Sequence, residues 1–290
     1  MVGSRLSEML IDLGCEVAHL SRNPSKQAHF RTFRWDPDAG YIDDAAIAYP
    51  DFIVHLAGEN LADGKWTKER KKEILESRVK SSELLCTYLG KKPNHVKAFI
   101  SASGIGIYGD TGSKEVTENA KPAHDFLAEV CIQWEKAVNQ ISTLGIRTAI
   151  FRFGLVLSDE GGALPVMAKP VKLMTGAPLG NGSQYMSWIH IDDLCRLLIR
   201  AIEEPVFEGT FNAVAPNPVT NEEFTKTLGE VLHRPIILPQ VPAFVLKLAL
   251  GEKADMVLTG QKASADLVLE KGFRFEYPEL RQALESFYGE

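Results

Sequence analysis

The stretch from Val96 to Gly109, VKAFISASGIGIYG, sets the tightest limit on how this chain can fold. Val96, Ala98, Phe99 and Ile100 form an apolar run without period-2 alternation, which is how a strand buried on both faces reads. Ser101, Ala102, Ser103, Gly104 and Gly106 follow it. Small residues at the carboxyl end of a strand let a flat ligand lie against the backbone, and the hydroxyls of Ser101 and Ser103 can hydrogen-bond such a ligand. In an open parallel sheet that end is where ligands sit. An ordinary core strand running into a glycine-rich turn has the same pattern, so the flanking segments must decide.

They point the same way. Leu6, Met9, Leu10 and Leu13 fall on one helical face in the first fifteen residues, with Gly14 as the stop. A strand is expected over Cys15 to Leu20, ending in Ser21, Arg22 and Asn23. An acidic residue at that place in a dinucleotide fold holds a ribose 2′-hydroxyl, whereas an arginine pairs with a 2′-phosphate, so Arg22 leans towards NADP. As a lone feature it reads equally well as a surface arginine. Phe30 to Trp35 is a further strand. Phe52 to Leu56 is another, running into Ala57, Gly58, Glu59 and Asn60 as a second lip of the same crevice. Helices are expected from Thr67 to Leu89 and, capped by Asp125, from Phe126 to about Ser142, with a strand over Ile146 to Phe151 ending in Arg152 and Phe153. This alternation predicts a parallel sheet wrapped by helices.

From Gly154 the texture changes. GLVLSDEGGALP and TGAPLGNGSQ are loop-rich and suit the side of a cleft that meets substrate. SWIHIDD, 187 to 193, enters a helix with Asp192 or Asp193 as its expected cap, and GTFNAVAP is a last strand. The segments beyond Val219, among them VPAFVLKLAL, read as amphipathic helices of a small C-terminal subdomain. The expected division is a nucleotide-binding core over 1–153, continued by 187–215, with 154–186 and 216–290 on the substrate side.

Charge and cysteine usage exclude several classes. A net charge of −6 over 290 residues argues against a surface for nucleic acid or anionic membrane. The one basic run, Lys65 to Lys72, is interrupted by Glu69 and reads as a solvated helix face. Cys15, Cys86, Cys131 and Cys195 are too far apart for a zinc ribbon or a disulfide framework, and no HExxH or HxH grouping suggests a metal. No apolar stretch approaches the roughly 18 residues of a membrane span. Cytoplasmic residence is the expectation.

Together HLSRNP (19–24), HLAGENL (55–61), SASGIGIYGD (101–110), DFLAEVCIQWE (125–135), RFGLVLSDEGGALP (152–165), SWIHIDDL (187–194) and GFRFEYPEL (272–280) resemble the epimerase-like atypical short-chain dehydrogenase/reductase family over almost the whole chain. The resemblance implies a doubly wound Rossmann fold with a smaller C-terminal substrate subdomain, and NADP as cofactor. It implies that Ser21 and Arg22 hold the 2′-phosphate, that Leu56 and Ala57 line the cofactor, that Glu73 and Arg78 reach it from their helix, and that Phe153 borders the nicotinamide. Gly3, Gly58 and Ser101 complete the expected cofactor set.

Two departures stand out. Such a domain opens with a strand and a glycine-rich turn for the pyrophosphate, and here Met1, Val2 and Gly3 read as the last residues of that turn. A late start, with about ten further residues upstream, is the expectation. The superfamily also uses a Tyr-x-x-x-Lys pair for proton exchange, but the matching positions are Phe126 or Leu127 and Val130 or Cys131. Tyr88 and Lys92 have the spacing at the wrong place. Ser103 and Tyr108 are the remaining catalytic candidates, while His190, between apolar neighbours, reads as structural.

The leading expectation is an NADP-binding oxidoreductase-like protein acting on an unknown small carbonyl or hydroxyl compound, with a homodimer allowed. A nucleotide-sugar epimerase or dehydratase is the alternative enzyme. A non-catalytic NADPH sensor with a partner connected with cell division is the alternative from another class.

Overall fold

The computed structural model describes residues 1–24 and 30–289. Helix α1 (Val2–Asp12) buries Leu6 and stops where Gly14 takes a φ of 80°, a conformation that costs glycine little. Leu13, expected on its apolar face, is exposed. β1 begins later than the sequence suggested, at Ala18, and runs to Ser21. β2 (Arg31–Asp36) pairs with β1 in parallel, and β3 (Tyr41–Ile42) folds back on β2 through a turn in which Asp36 accepts the N–H groups of Asp38 and Ala39.

After α2 (Asp44–Ala48) come β4 (Phe52–His55), α3 (Lys68–Lys91) and β5 (Ala98–Gly104), followed by β6 (Glu115–Val116), α4 (Phe126–Ser142) and β7 (Arg147–Phe153). Thr67 and Asp125 cap α3 and α4 by accepting the N–H groups of Arg70 and Ala128. β8 (Leu155–Leu157), α5 (Ala163–Lys172), β9 (Tyr185–Met186), β10 (Trp188–His190), α6 (Ile191–Glu203) and β11 (Gly209–Ala213) complete the core, and β12 (Val219–Thr220), α7 (Asn221–Val231) and α8 (Ala243–Leu250) lead into the C-terminal part.

The main sheet has the order β11-β7-β5-β4, all parallel. β5 is buried on both faces from Ala98 to Ser103, as its unbroken apolar and small-residue run required. On one face α1 and α6 pack around Leu6, Ile100, Phe151 and Leu198; on the other α3 and α4 pack around Leu85, Phe99, Val138 and Ile150. A third cluster, with Trp188 and Phe224 fully buried, joins α5, α7 and the final helix Leu280–Tyr288.

The sheet is interrupted. β1-β2-β3 forms a separate ribbon, and among the described residues no strand pairs with the free edge of β1 or of β4. The two edges run the same way. Tyr49, ahead of β4, donates to Glu16, ahead of β1, at 2.8 Å, while Arg22, past β1, lies 3.8 Å from Glu59, past β4. A cavity of about 1050 Å³ lies between them.

Two expectations about the C-terminal half change. The N-cap of α6 is neither Asp192 nor Asp193 but His190, whose Nδ1 accepts the Asp192 N–H at 3.0 Å. Asp193 is buried and accepts the N–H groups of Glu276 and Tyr277 at 2.8 and 2.9 Å, which fastens the C-terminal segment to α6. α8 buries none of its residues, and Phe244 and Leu248 are 71% and 88% exposed, so VPAFVLKLAL does not pack as an amphipathic core helix.

Candidate functional site

The carboxyl ends of β1, β4, β5 and β7 open on one side of the sheet, and the residues there fall into two groups. The first surrounds the mouth between β1 and β4. Ser21 closes β1, its Oγ accepting the Asn23 N–H at 3.1 Å, and the Arg22 side chain next to it is 66% exposed. Across from it, Leu56 and Ala57 are half-buried and Gly58 is exposed in the loop after β4. A Cβ on Gly58 would come 2.9 Å from the Arg78 guanidinium carbon, so the missing side chain is what lets that guanidinium lie beneath the loop. Gly3 stands in the first turn of α1, where a Cβ would lie 3.9 Å from Leu56. No side-chain hydrogen bond caps that turn, and Met1, Gly3 and Ser4 of it line the cavity between β1 and β4.

Arg78 holds the loop after β4 from below. It donates to the carbonyls of Ile74 and Glu59 at 2.9 and 3.0 Å and lies 5.2 Å from the centre of the Trp134 ring. Burial lowers its affinity for a proton without neutralising it. Glu73 does not point at the same place, being paired with Arg70 at 3.0 Å on the solvent side. Arg70 also holds Glu59 at 3.0 Å and donates to the Asn60 carbonyl, so Glu59 sits between Arg70 and Arg22.

The second group is a buried polar network under β5 and β7. Ser103 donates to Glu135 on α4 at 2.7 Å. Glu135 also takes Arg152 on β7, and Arg152 donates in turn to Tyr108 at 2.8 Å. Tyr108 donates to Asn212 on β11 at 2.7 Å, and the Asn212 N–H reaches Glu118. Burial pushes the Tyr108 hydroxyl above its ordinary pKa although the Arg152 charge works against it. Burial is the largest influence on Arg152 and disfavours its charge, but the hydrogen bonds and charges of Glu135 and Tyr108 together outweigh it and the guanidinium stays protonated. Ser101 lies deeper than a ligand lip requires: it is fully buried and donates to the Ala102 carbonyl at 3.0 Å. Phe153 is half-buried at the end of β7.

Ser103 and Tyr108 thus share one network, separate from the grouping of Gly3, Arg22, Leu56, Ala57 and Gly58 at the mouth. Glu135, Asn212 and Glu118 were not anticipated. The one hint was an arginine inside the apolar run AIFRF, since a buried charge needs a partner. His190 is packed into the protein: it stacks 3.8 Å from Tyr277 and 4.5 Å from Phe287, and burial pushes its pKa down to about 4. The α4 positions expected for a proton-exchanging pair carry Phe126, edge-on to Trp66, and Cys131, whose thiol burial pushes up to about 11. Among the described residues no helix is long and apolar enough to cross a membrane.

A parallel sheet with helices on both faces, and a mouth formed at its carboxyl edge by glycines, a helix N-terminus and an exposed arginine, define an α/β protein of the Rossmann type. The chain belongs to the NAD dependent epimerase/dehydratase family, whose model matches residues 1–214; a second, a domain of unknown function (DUF1731), matches 241–287. It is 36% identical over 286 residues to epimerase family protein YfhF of Bacillus subtilis, covering 98% of this chain and 93% of that one. Among solved structures it is similar to the human epimerase family protein SDR39U1 (isoform 2) with NADPH, at 32% identity and a TM-score of 0.88 over 99% and 96% of the two chains. A nucleoside-diphosphate sugar epimerase from Corynebacterium glutamicum matches at 33% identity and a TM-score of 0.80, over the whole of this chain and 56% of that one. The resemblance to the epimerase-like short-chain dehydrogenase/reductases therefore holds from end to end.

Proposed function

We propose that the protein binds NADP(H) at the mouth between β1 and β4 and acts as an oxidoreductase on a small carbonyl or hydroxyl compound. The observation that carries the choice of cofactor is Arg22, a largely exposed guanidinium at the end of β1, where an acidic residue would instead favour NAD. The NADPH in the similar human structure supports the same choice. Arg22 and Ser21 would hold the 2′-phosphate, the uncapped first turn of α1 at Gly3 would face the pyrophosphate, and Leu56, Ala57 and Gly58 would lie against the adenosine. Bound there, the dinucleotide supplies or accepts a hydride.

A carbonyl that gains a hydride must also gain a proton. Ser103 and Tyr108 are the hydroxyls proposed for the substrate side, and both are engaged by Glu135, Arg152 and Asn212. Either can exchange a proton with substrate only if that network opens. The same observation favours a second reading, a protein that binds NADPH without turnover and presents it to a partner. The unpaired thiols of all four cysteines suit a reducing, cytoplasmic setting.

Thermal denaturation with NADPH and with NADH tests the cofactor. A ligand held only by the folded state adds about 2.7 kcal/mol at a concentration 100-fold above its Kd. NADPH raising the melting temperature more than NADH is the expected result; equal shifts, or none, overturn it. Consumption of NADPH with a panel of small aldehydes and ketones then favours the oxidoreductase. Stabilisation without consumption favours the sensor, and interconversion of a nucleotide sugar with no net consumption favours the epimerase.

A further inference from the structure

We propose that residues 242–256 form a flap, hinged at Val241 and Val257, which closes over the crevice at the carboxyl ends of β4 and β5 by a latch of Glu252 on Lys71 and so gates entry to the site from that side. Both ends of this segment are fastened to the loop before β9. The Val241 N–H donates to the Pro178 carbonyl at 2.8 Å and its own carbonyl accepts the Gly180 N–H at 2.9 Å, while the Gln184 side chain donates to the Val257 carbonyl at 2.8 Å. Beyond Val257, Gly260 runs against the Tyr185 backbone, where a side chain would not fit. Between these anchors the chain is loosely packed. Of residues 242–256 only Ala254 is buried, and Phe244 and Leu248 on α8 stand in solvent. A segment with so few buried contacts opens readily.

The tip of the segment, Gly251–Ala254, crosses to the core. Among the described residues two polar contacts make that crossing: Glu252 pairs with Lys71 in the first turn of α3, and Lys253 donates to the Ala62 carbonyl, in the loop after β4, at 2.9 Å. Lys71 also lies 5.1 Å from the centre of the Phe126 ring at the start of α4, and Trp66 stands edge-on to the same ring. Next to Phe126 is Leu127, whose Cβ would lie 3.3 Å from a Cβ on Gly106, in the turn that follows β5. The tip therefore reaches the ends of both strands, where ligands of such sheets sit. Glu252 is 62% exposed, so the latch is a weak ion pair that salt weakens further. A strong tie would keep the crevice shut; a weak one lets the flap open and close. That substrate passes beneath it rests on the function proposed above, whereas the hinge and the latch do not.

Nitroxide labels on Leu248→Cys in the flap and Lys68→Cys on α3, both exposed positions, measure the motion in the whole chain by double electron–electron resonance. Cys15 and Cys86 are changed to Ser, which leaves only the buried Cys131 and Cys195 beside the labelled sites. Two distances are expected, and Glu252→Gln raises the share of the longer one by up to about fivefold, the scale of an exposed ion pair. The labelled parent in about 1 M salt should shift the same way with the latch residues intact. Acrylamide quenching reports access. Trp35, Trp134 and Trp188 are buried, so the response comes chiefly from Trp66, and it should rise with the longer distance. A single distance, unchanged by the substitution and by salt, overturns the flap. A longer distance without added quenching overturns the gate, since the segment would then move without covering the crevice. Neither readout uses cofactor or substrate, so a failure of the proposed activity would leave both results standing.

Discussion

Glu135 on α4 grips Arg152 on β7 through two parallel hydrogen bonds, Oε1 to Nε and Oε2 to Nη2, each 2.8 Å, inside the protein. The fork geometry fits a guanidinium to a carboxylate, and the remaining donors of Arg152 go to Tyr108 and the Glu118 carbonyl, so little of the charge is left uncompensated. Removing one partner leaves the other charge buried alone. Glu135→Ala is expected to cost about 3–5 kcal/mol, whereas the double change of Glu135→Leu with Arg152→Met costs less than the single one. Chemical denaturation of the three chains checks this, and a loss below about 1 kcal/mol in the single variant would show that the pair contributes nothing specific.

The network around that pair also marks where sequence reading stopped. β5 was legible because its signal is local: an apolar run followed by small residues describes a doubly buried strand without reference to anything else. The same holds for the helices whose caps, Thr67 and Asp125, stand where the pattern begins. Tyr108 and Asn212 are 104 residues apart, and Ser103 and Glu135 are 32 apart, so no window of sequence contains both members. Asp193 looked like a cap because acidic residues favour first turns, but contact with Glu276 and Tyr277, more than eighty positions away, decided its role. At the mouth, the places of Arg22 and Gly58 just past their strands were readable from sequence, while the contact of Arg78 beneath Gly58 needed coordinates.

Gly154 joins β7 to β8 at a point where no side chain fits. A Cβ there would run into the Ser187 carbonyl and lie 2.8 Å from Val214, so the obstacle on one side is backbone that cannot rotate away. Gly154→Ala is expected to destabilise by about 1–3 kcal/mol, the usual cost of overpacking. Gly112→Ala, at a positive φ with nothing close by, is the comparison, since it carries backbone strain without a clash. Melting temperatures that rank Gly112→Ala as the more damaging change would contradict the close approach.

His190 gives stability a defined pH dependence. Burial between Tyr277 and Phe287 pushes its pKa from 6.5 to about 4, and its Nδ1 is occupied as acceptor for the N-cap of α6. The unfolded chain therefore binds the proton first as pH falls. The stabilisation is fully present above 6.5, is lost between 6.5 and about 4, and changes no further below, a total of about 3 kcal/mol. His55, pushed down to about 4 by burial and by Arg78, adds a loss of the same sign. His190→Asn keeps a capping oxygen and has no proton to gain. Urea midpoints at pH 7.5 and 4.5 should lie closer together for that variant than for the parent; an unchanged gap would mean that His190 is protonated in the folded state.

Glu59 stands where an anion would compete with it. Its carboxylate lies 3.8 Å from Arg22 and 3.0 Å from Arg70, and its backbone is pinned by Ser77 and Arg78, so it is held within reach of Arg22 rather than swinging there by chance. If Arg22 reads a 2′-phosphate, that phosphate must displace Glu59 from it. Two opposite effects follow. Arg22→Ala is expected to weaken NADPH by about 10- to 100-fold, the worth of a hydrogen bond to a charged group, with NADH little changed. Glu59→Gln removes the competing charge and should tighten NADPH by up to about fivefold, the scale of an exposed ion pair, again without effect on NADH. Calorimetric titration of both nucleotides at low and high salt separates the cases, because an effect through charge shrinks as salt rises. Weaker NADPH binding in Glu59→Gln would mean that the carboxylate orients Arg22 instead of competing for it, and a loss shared equally by NADH would place Arg22 away from the 2′ position.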